Sequence, residues 1–305
     1  MAGQETMPAI VECVPNFSEG RRKEVIDKIV FSIRSVPGIK VLDVEMDPDH
    51  NRSVVTFTGS KEAVQEGAFR GARAASELID LNKHKGQHPR MGALDVLPFV
   101  PISGVTLDDC VEIANKIGAR IAKDLKIPVY LYEAAARKPE RRNLENVRRG
   151  EFEGLREAIL TDESRYPDYG PRMIHPTAGA VAVGARMPLI AFNVNLNSKD
   201  VAVAKKIAKN IRASNGGMPN VKALGFLLEH KGMVQVSMNL TDYTVTPISK
   251  VFEAVKKAAE DRGVEVAESE IIGLIPLDAV CDLAAKYLKI GNLGSNQVLE
   301  RRIWG

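Results

Sequence analysis

The stretch His84-Lys85-Gly86-Gln87-His88-Pro89-Arg90-Met91-Gly92 sets two imidazoles, an ammonium, a guanidinium and two glycines between apolar segments. Imidazole is the usual proton carrier near neutral pH, and glycine lets backbone approach a ligand closely. The two histidines have the spacing of metal ligands on one helix face, but Gly86 and Pro89 oppose a helix. No third Cys, His or carboxylate stands at a useful local spacing, so no metal is expected. Two readings remain open: a proton-handling loop at a ligand site, or a polar loop whose histidines only hydrogen-bond the backbone.

Other polar groups could serve the same chemistry. The acidic turn Asp43 to Asp49, followed by Asn51-Arg52, offers Glu45 at a strand end, where a carboxylate could orient an imidazole or face a cation; as structure it is a polar hairpin. The turns Asn16–Ser18 and Asn193–Asn197 each follow a strand and open a helix, whose free N–H groups favour anions. Simple capping by Ser18 and Ser198 explains them equally well. The basic run Arg137 to Arg149 contains Arg137, Lys138, Arg141, Arg142, Arg148 and Arg149, broken by Glu140 and Glu145. It reads first as a solvated helix face laced with ion pairs and second as an anion-attracting rim.

Composition excludes several classes. Apolar residues make up 45% and charged residues 27%, a globular balance, and net charge is only +3, so a nucleic-acid partner is not expected. No run approaches the length of a membrane span, and Met1 to Pro8 does not read as a signal peptide. Cys13, Cys110 and Cys281 are isolated, which argues against disulfides and zinc and for a reducing, cytoplasmic setting. There is no phosphate-binding Gly-Lys-Ser/Thr loop, nucleophile elbow or dinucleotide fingerprint.

The elements that must position these groups form the same unit twice. The first runs from strand Ile10–Val14 through a helix with Val25, Ile26, Ile29, Val30 and Ile33 on one face. Strands Lys40–Val44 and Val54–Thr58 follow, then a helix capped by Ser60, then strand Ala93–Val100. Thr106 and Asp109 have capping-box spacing for an extra helix, and Val129–Tyr132 ends the half. The second starts at strand Leu189–Val194, with a helix carrying Val201, Ala204, Ala208 and Ile211. Strands Val221–Leu227 and Val234–Leu240 turn at His230-Lys231-Gly232. A helix led by Thr246-Pro247 and a strand at Ile271–Ile275 close it. Each half reads βαββα then β, the split-βαβ order of ferredoxin-like folds. The fold class expected is α/β (α+β): two duplicated ferredoxin-like subdomains, residues 1–184 with the connecting segment and 185–305, with their sheets face to face. The connection at about Arg137 to Arg186 is long enough to be functional.

Val11-Glu12-Cys13-Val14-Pro15-Asn16-Phe17-Ser18-Glu19-Gly20 closely resembles the opening of the glutamate formimidoyltransferase (formiminotransferase) family. So do the loop His84 to Gly92 with Ala93-Leu94-Asp95, the stretch Val129 to Arg137, and Ile190 to Leu196. The resemblance implies transfer of a formimino group between 5-formiminotetrahydrofolate and L-glutamate in histidine breakdown, with tetrahydrofolate as co-substrate and no cyclodeaminase domain. It sets the catalytic histidine on His88 and the folate-contacting stretch on Gly170, Pro171, Arg172, Met173, Ile174, His175, Pro176, Thr177, Ala178 and Gly179. Family members carry Asp where this chain has Glu45, and an aromatic residue where Ala178 sits. Arg52, Arg90, Asn16 and Asn195 are the expected partners of substrate anions. The partners implied are folate and glutamate or formiminoglutamate, with no membrane and with room for a homodimer. Formyl-folate handling or a modified pterin carrier on the same fold is the alternative within the class, and a non-enzymatic ligand-sensing module the alternative outside it.

Overall fold

The computed structural model describes residues 9–48, 50–86, 88–229 and 231–304. The expectations that fall on Met1–Pro8, Asp49, Gln87 and His230 therefore lie outside the described residues. The chain divides into two compact units, the first ending at Met187 and the second starting at Pro188.

In the first unit an extended segment is interrupted at Val14-Pro15, giving β1 (Ile10–Cys13) and β2 (Asn16–Phe17). Proline has no N–H for a ladder. Helix α1 (Lys23–Arg34) then buries Val25, Ile26, Ile29, Val30 and Ile33, the face its periodicity marks. β3 (Lys40–Asp47) and β4 (Arg52–Gly59) form a hairpin. Helix α2 (Lys61–Leu78) starts where Ser60 accepts a hydrogen bond from the Ala63 N–H. β5 (Leu94–Ser103) returns beside β1 and β2. Across this part the order is β5, β1 with β2, β4, β3, all antiparallel, which is the split-βαβ order read from the sequence.

The sheet then extends past β5. Helix α3 (Leu107–Leu125), opened by the reciprocal Thr106–Asp109 capping box, crosses to β6 (Val129–Glu133). The connecting segment contributes α4 (Leu144–Val147), α5 (Glu151–Thr161) and β7 (Val181–Ala185). β7 lies between β5 and β6, parallel to both. The basic run is not a solvated helix face. It breaks into a short turn of 3-10 helix at Pro139–Arg142 and the brief α4, with Arg141 buried against Asp168.

The second unit has β8 (Ile190–Leu196), α6 (Val201–Ile211), β9 (Val221–Leu228), β10 (Met233–Leu240), α7 (Ile248–Glu260) and β11 (Val266–Ile272). Helices α8 (Leu277–Leu288) and α9 (Leu299–Trp304) follow. Its sheet order, β11-β8-β10-β9, repeats the split-βαβ order. Two details depart from expectation. The last strand is Val266–Ile272 and not Ile271–Ile275: its earlier residues pair with β8, and Glu268 and Glu270 accept from Asn195, Asn193 and Gln235 across the sheet. Pro247 itself is the cap of α7, while the Thr246 hydroxyl donates to the Pro219 carbonyl. Each unit has its own apolar core: Phe17, Phe57, Phe69, Phe99 and Leu97 are among the buried residues of the first, and Val194, Val236, Val251 and Val255 of the second.

Candidate active site

Asn51 organises the site. It is buried at the β3–β4 turn with a positive φ of 49°, a conformation Asn tolerates better than most residues. Its Oδ1 accepts from Gly20 N at 2.9 Å and its Nδ2 donates to Lys85 O at 3.0 Å; its carbonyl lies 2.9 Å from His84 Nε2. One side chain thus ties the entry to α1, the hairpin turn and the histidine loop. Gly86 fits against the same turn so closely that an added Cβ would stand 2.3 Å from His50 O.

The two loop histidines have different surroundings. His84 Nδ1 accepts from Arg90 Nε at 3.2 Å, which leaves the proton on Nε2, donated to the Asn51 carbonyl. Burial holds its pKa below the usual value. Both ring nitrogens are engaged, so His84 braces the loop. His88 has its ring edge-on to His50, with centroids 6.4 Å apart. Burial first, then the charges of Arg52 and Arg148 and the neighbouring His50, push its pKa down to about 2. The ring is therefore neutral at ordinary pH. His50 in turn has Nδ1 2.6 Å from Asp47 Oδ2.

A small hollow beside His88 is lined by Asn16, His50, Arg52, His84, Arg90 and Asp95, among others. Arg52, the first residue of β4, donates from Nη2 to Asn16 Oδ1. Glu45 stands opposite Val54 in the β3–β4 ladder, on the face that also carries Arg52, and its charge acts on that guanidinium. Arg90 is 11% exposed and committed to Glu151 at 3.0 Å, Glu153 at 2.6 Å and His84, which makes it a brace rather than an open anion ligand. Asn195 lies in the second unit, where Nδ2 donates to Glu268 and Oδ1 accepts from Gln235. Neither turn serine caps a helix: the Ser18 hydroxyl donates to the Gly92 carbonyl, and α6 is capped by Asp200, with Ser198 Oγ accepting from Asp200 N.

The histidine loop and the stretch 170–179, far apart in sequence, are joined by backbone. Gly92 and Gly179 form an antiparallel bridge, flanked by Ala93 N to Ala178 O and Ala180 N to Met91 O, each 2.9 Å. Within the stretch, Ile174, Ala178 and Gly179 are buried, and the Ala178 N–H donates to His175 Nδ1 at 3.0 Å. Gly170 turns with φ +93° near Ala122. Pro171 is half-buried, Arg172 lies over the Tyr166 ring, Met173 is 60% exposed, and the Pro176 carbonyl accepts from Asn82 Nδ2. Thr177 lines a cleft of about 540 Å³ shared with Ser18, Glu19, Arg21, Lys83 and His84. Among the described residues, no group of three or more His, Cys, Asp or Glu side chains could hold a metal ion. No helix among them is long and apolar enough to cross a membrane.

Sequence reasoning missed Asp95 and Arg148 as a pair. Asp95, 3% exposed, accepts from Met91 N at 2.7 Å through Oδ1 and from Arg148 Nη2 through Oδ2. The available signal was an aspartate just past the loop and an arginine in the basic run; their meeting is a tertiary fact.

Residues 10–186 match the model of the formiminotransferase domain, N-terminal subdomain, and residues 191–300 that of the formiminotransferase domain. The chain belongs to the formiminotransferase family. It is 49% identical over 300 residues to the glutamate formimidoyltransferase of Streptococcus pyogenes serotype M1, covering 98% of this chain and 100% of that protein. Identity to the glutamate formimidoyltransferase of Thermoplasma acidophilum is 48% over 297 residues, 97% of each. The formimidoyltransferase-cyclodeaminase of Mus musculus is 47% identical over 287 residues, which is 92% of this chain and 53% of that longer family member.

Proposed function

We propose that this formiminotransferase moves a formimino group between 5-formiminotetrahydrofolate and L-glutamate in histidine degradation, with His88 carrying the proton. The observation that supports it most is a neutral, half-buried imidazole held near Arg52 and Arg148, on a loop bridged to residues 170–179.

The reaction attacks a carbon bonded to two nitrogens. The incoming amine must lose a proton and the departing nitrogen must gain one, and a single imidazole can do both. An imidazolium as acidic as the one that would form at His88 is a poor match for this task at neutral pH. Carboxylates of the substrates would offset Arg52 and Arg148 and bring the ring into range. Glu45 works in the same direction by countering Arg52. Two bound reactants held in line supply much of the rest, up to about 7–11 kcal/mol in the best cases.

The cleft lined by Thr177 fits the folate carrier on two grounds. Its volume falls within the usual range of ligand sites, and its lining includes Arg21, whose guanidinium has no acidic partner among the described residues, beside Arg22 paired with Glu19 and Lys83 paired with Asp80. Gly170, Arg172, Met173 and Pro176 are exposed and Pro171, His175 and Thr177 half-buried, so these can meet a ligand from outside the core; Ile174, Ala178 and Gly179 support them from within.

The test offers purified protein 5-formimino- and 5-formyltetrahydrofolate with glutamate. Turnover is expected with the first alone. His88→Ala should lose about 10²–10⁴-fold in kcat while keeping carrier affinity. Equal use of the formyl carrier would sink the formimino reading, and ligand binding without any turnover would favour a sensor.

A further inference from the structure

Arg52 and Arg148 come from distant parts of the first unit, one opening β4 and the other following α4; Arg52 lines the hollow around His88, Arg148 reaches the Asp95 that lines it, and both charges act on His88. Among the described residues each guanidinium has one side-chain hydrogen-bond partner: Asn16 accepts from Arg52 Nη2, and Asp95 accepts from Arg148 Nη2. The Nε–H of both arginines is buried, and among the described residues neither has a hydrogen-bond partner. Buried donors are nearly always satisfied in folded proteins, so two orphans on neighbouring cations call for an explanation. The cations also repel each other. Burial and the charge of Arg148 bring the Arg52 pKa down to about 10, outweighing Asp95, Asp47 and Glu45. A pair of forked cations, each with a buried and unpartnered Nε–H donor, matches a carboxylate in charge and hydrogen bonding.

We propose that Arg52 and Arg148 together seat the α-carboxylate of the amino-acid substrate, and that this contact sets the substrate's α-nitrogen against His88. The inference rests on the transfer reaction proposed above and assigns one substrate group to one site. Chemistry selects that group. In glutamate and formiminoglutamate the α-carboxylate and the reacting nitrogen share a carbon, so anchoring one places the other within a bond or two. The γ-carboxylate is separated from that nitrogen by two further methylenes. In the carrier, the aminobenzoyl ring lies between the reacting nitrogen and the tail carboxylates, so a tail carboxylate cannot occupy a seat beside His88 while the carrier's nitrogen reacts there. Asp95 is the positioning residue: its two oxygens fix Arg148 and the loop exit at Met91 together.

The experiment compares glutamate, its α-amide and its γ-amide (glutamine), by calorimetric binding in the presence of tetrahydrofolate and by steady-state transfer. Wild-type protein should bind the α-amide at least about 100-fold more weakly than glutamate, the usual scale for a charged group losing a forked partner. In Arg148→Gln and Arg52→Lys that gap should shrink to below about 10-fold, with the glutamine gap and carrier affinity unchanged. Arg148→Lys, which keeps the charge opposite Asp95, serves if the glutamine variant melts early. Equal wild-type binding of glutamate and its α-amide would overturn the assignment whatever the turnover. So would a variant that weakens only the carrier, or one that narrows the γ-amide gap instead. Failure of wild-type protein to transfer at all, with α-amide discrimination intact, would overturn the reaction and leave the seat standing.

Discussion

A half-buried imidazole set among guanidiniums stays neutral where the groups that favour its proton, here a backbone hydrogen bond at Pro89, are outweighed by the ones that penalise it. For His88 these are Arg52 and Arg148 and the ring of His50, acting on top of burial. Binding an anion at the arginines must raise the pKa, since the same charges that lowered it are then screened. Imidazole NMR signals of His88 should stay those of a neutral ring down to about pH 4 in the free protein, and saturating glutamate should move the midpoint up by at least about one unit. A free-protein midpoint near the ordinary histidine value would contradict the packing described here. At this scale much was readable in the chain itself. His88, Arg52 and Asn16 lie in short polar stretches whose composition already suggested ligand chemistry, and the structure brings them to one hollow. Asp95 with Arg148 was not readable, because the pair closes over 53 residues and neither member stands out locally. Arg90 looked like an anion ligand by type, but Glu151 and Glu153, far along the chain, occupy its donors.

Elements place those residues through backbone contacts that tolerate no added bulk. At Gly179 the backbone has φ +70°, and a Cβ there would stand 2.2 Å from Met91 O. Gly179→Ala must therefore strain the left-handed backbone and break the bridge to Gly92 together. We expect a loss of more than about 3 kcal/mol in urea unfolding, with transfer activity falling as the histidine loop loses its register. An unchanged midpoint would show that the bridge does not hold the loop. The duplicated ferredoxin-like halves were legible because their helices bury residues at a 3.6 period and their strands alternate; both sheets have the order that pattern implies. The segment between them was not. β7 is a short run of small residues with no alternation, buried throughout, and α4 has a single turn. Parallel pairing of β7 between β5 and β6 depends on partners remote in sequence. The last strand was misread for a related reason: its first residues are polar on one face because their partners are the amides of Asn193, Asn195 and Gln235.

At the scale of the molecule, two separate apolar cores mean that each unit carries the burial needed for its own cooperative folding. The histidines with resolved shifts, His84, His88 and His175, all belong to the first, and burial lowers each of them. The sign follows from linkage. A native state that refuses a proton which the unfolded chain accepts loses stability as pH falls below the unfolded value, 6.5, toward the lowered native one. Each such ring contributes at most about 1.4 kcal/mol of loss between pH 6.5 and 5.5. Glu66, Asp80, Asp109 and Glu153, held low by the hydrogen bonds they accept, lose stability only below their ordinary values of 4.5 and 3.8, outside this window. Glu12 opposes the trend: burial raises its pKa, so its native carboxyl takes up a proton more readily. Mild acid should therefore weaken the first unit, with His88, whose pKa is pushed down furthest, giving the largest share, while the second, whose described residues include no histidine, holds. Urea titrations at pH 7.5 and 5.5 on the full chain and on a fragment ending at Met187 measure this directly. The fragment should reproduce the acid shift, and His88→Asn should remove the largest single share of it. A shift carried by the second unit, or none at all, would mean that these rings are hydrated and already charged in the native protein.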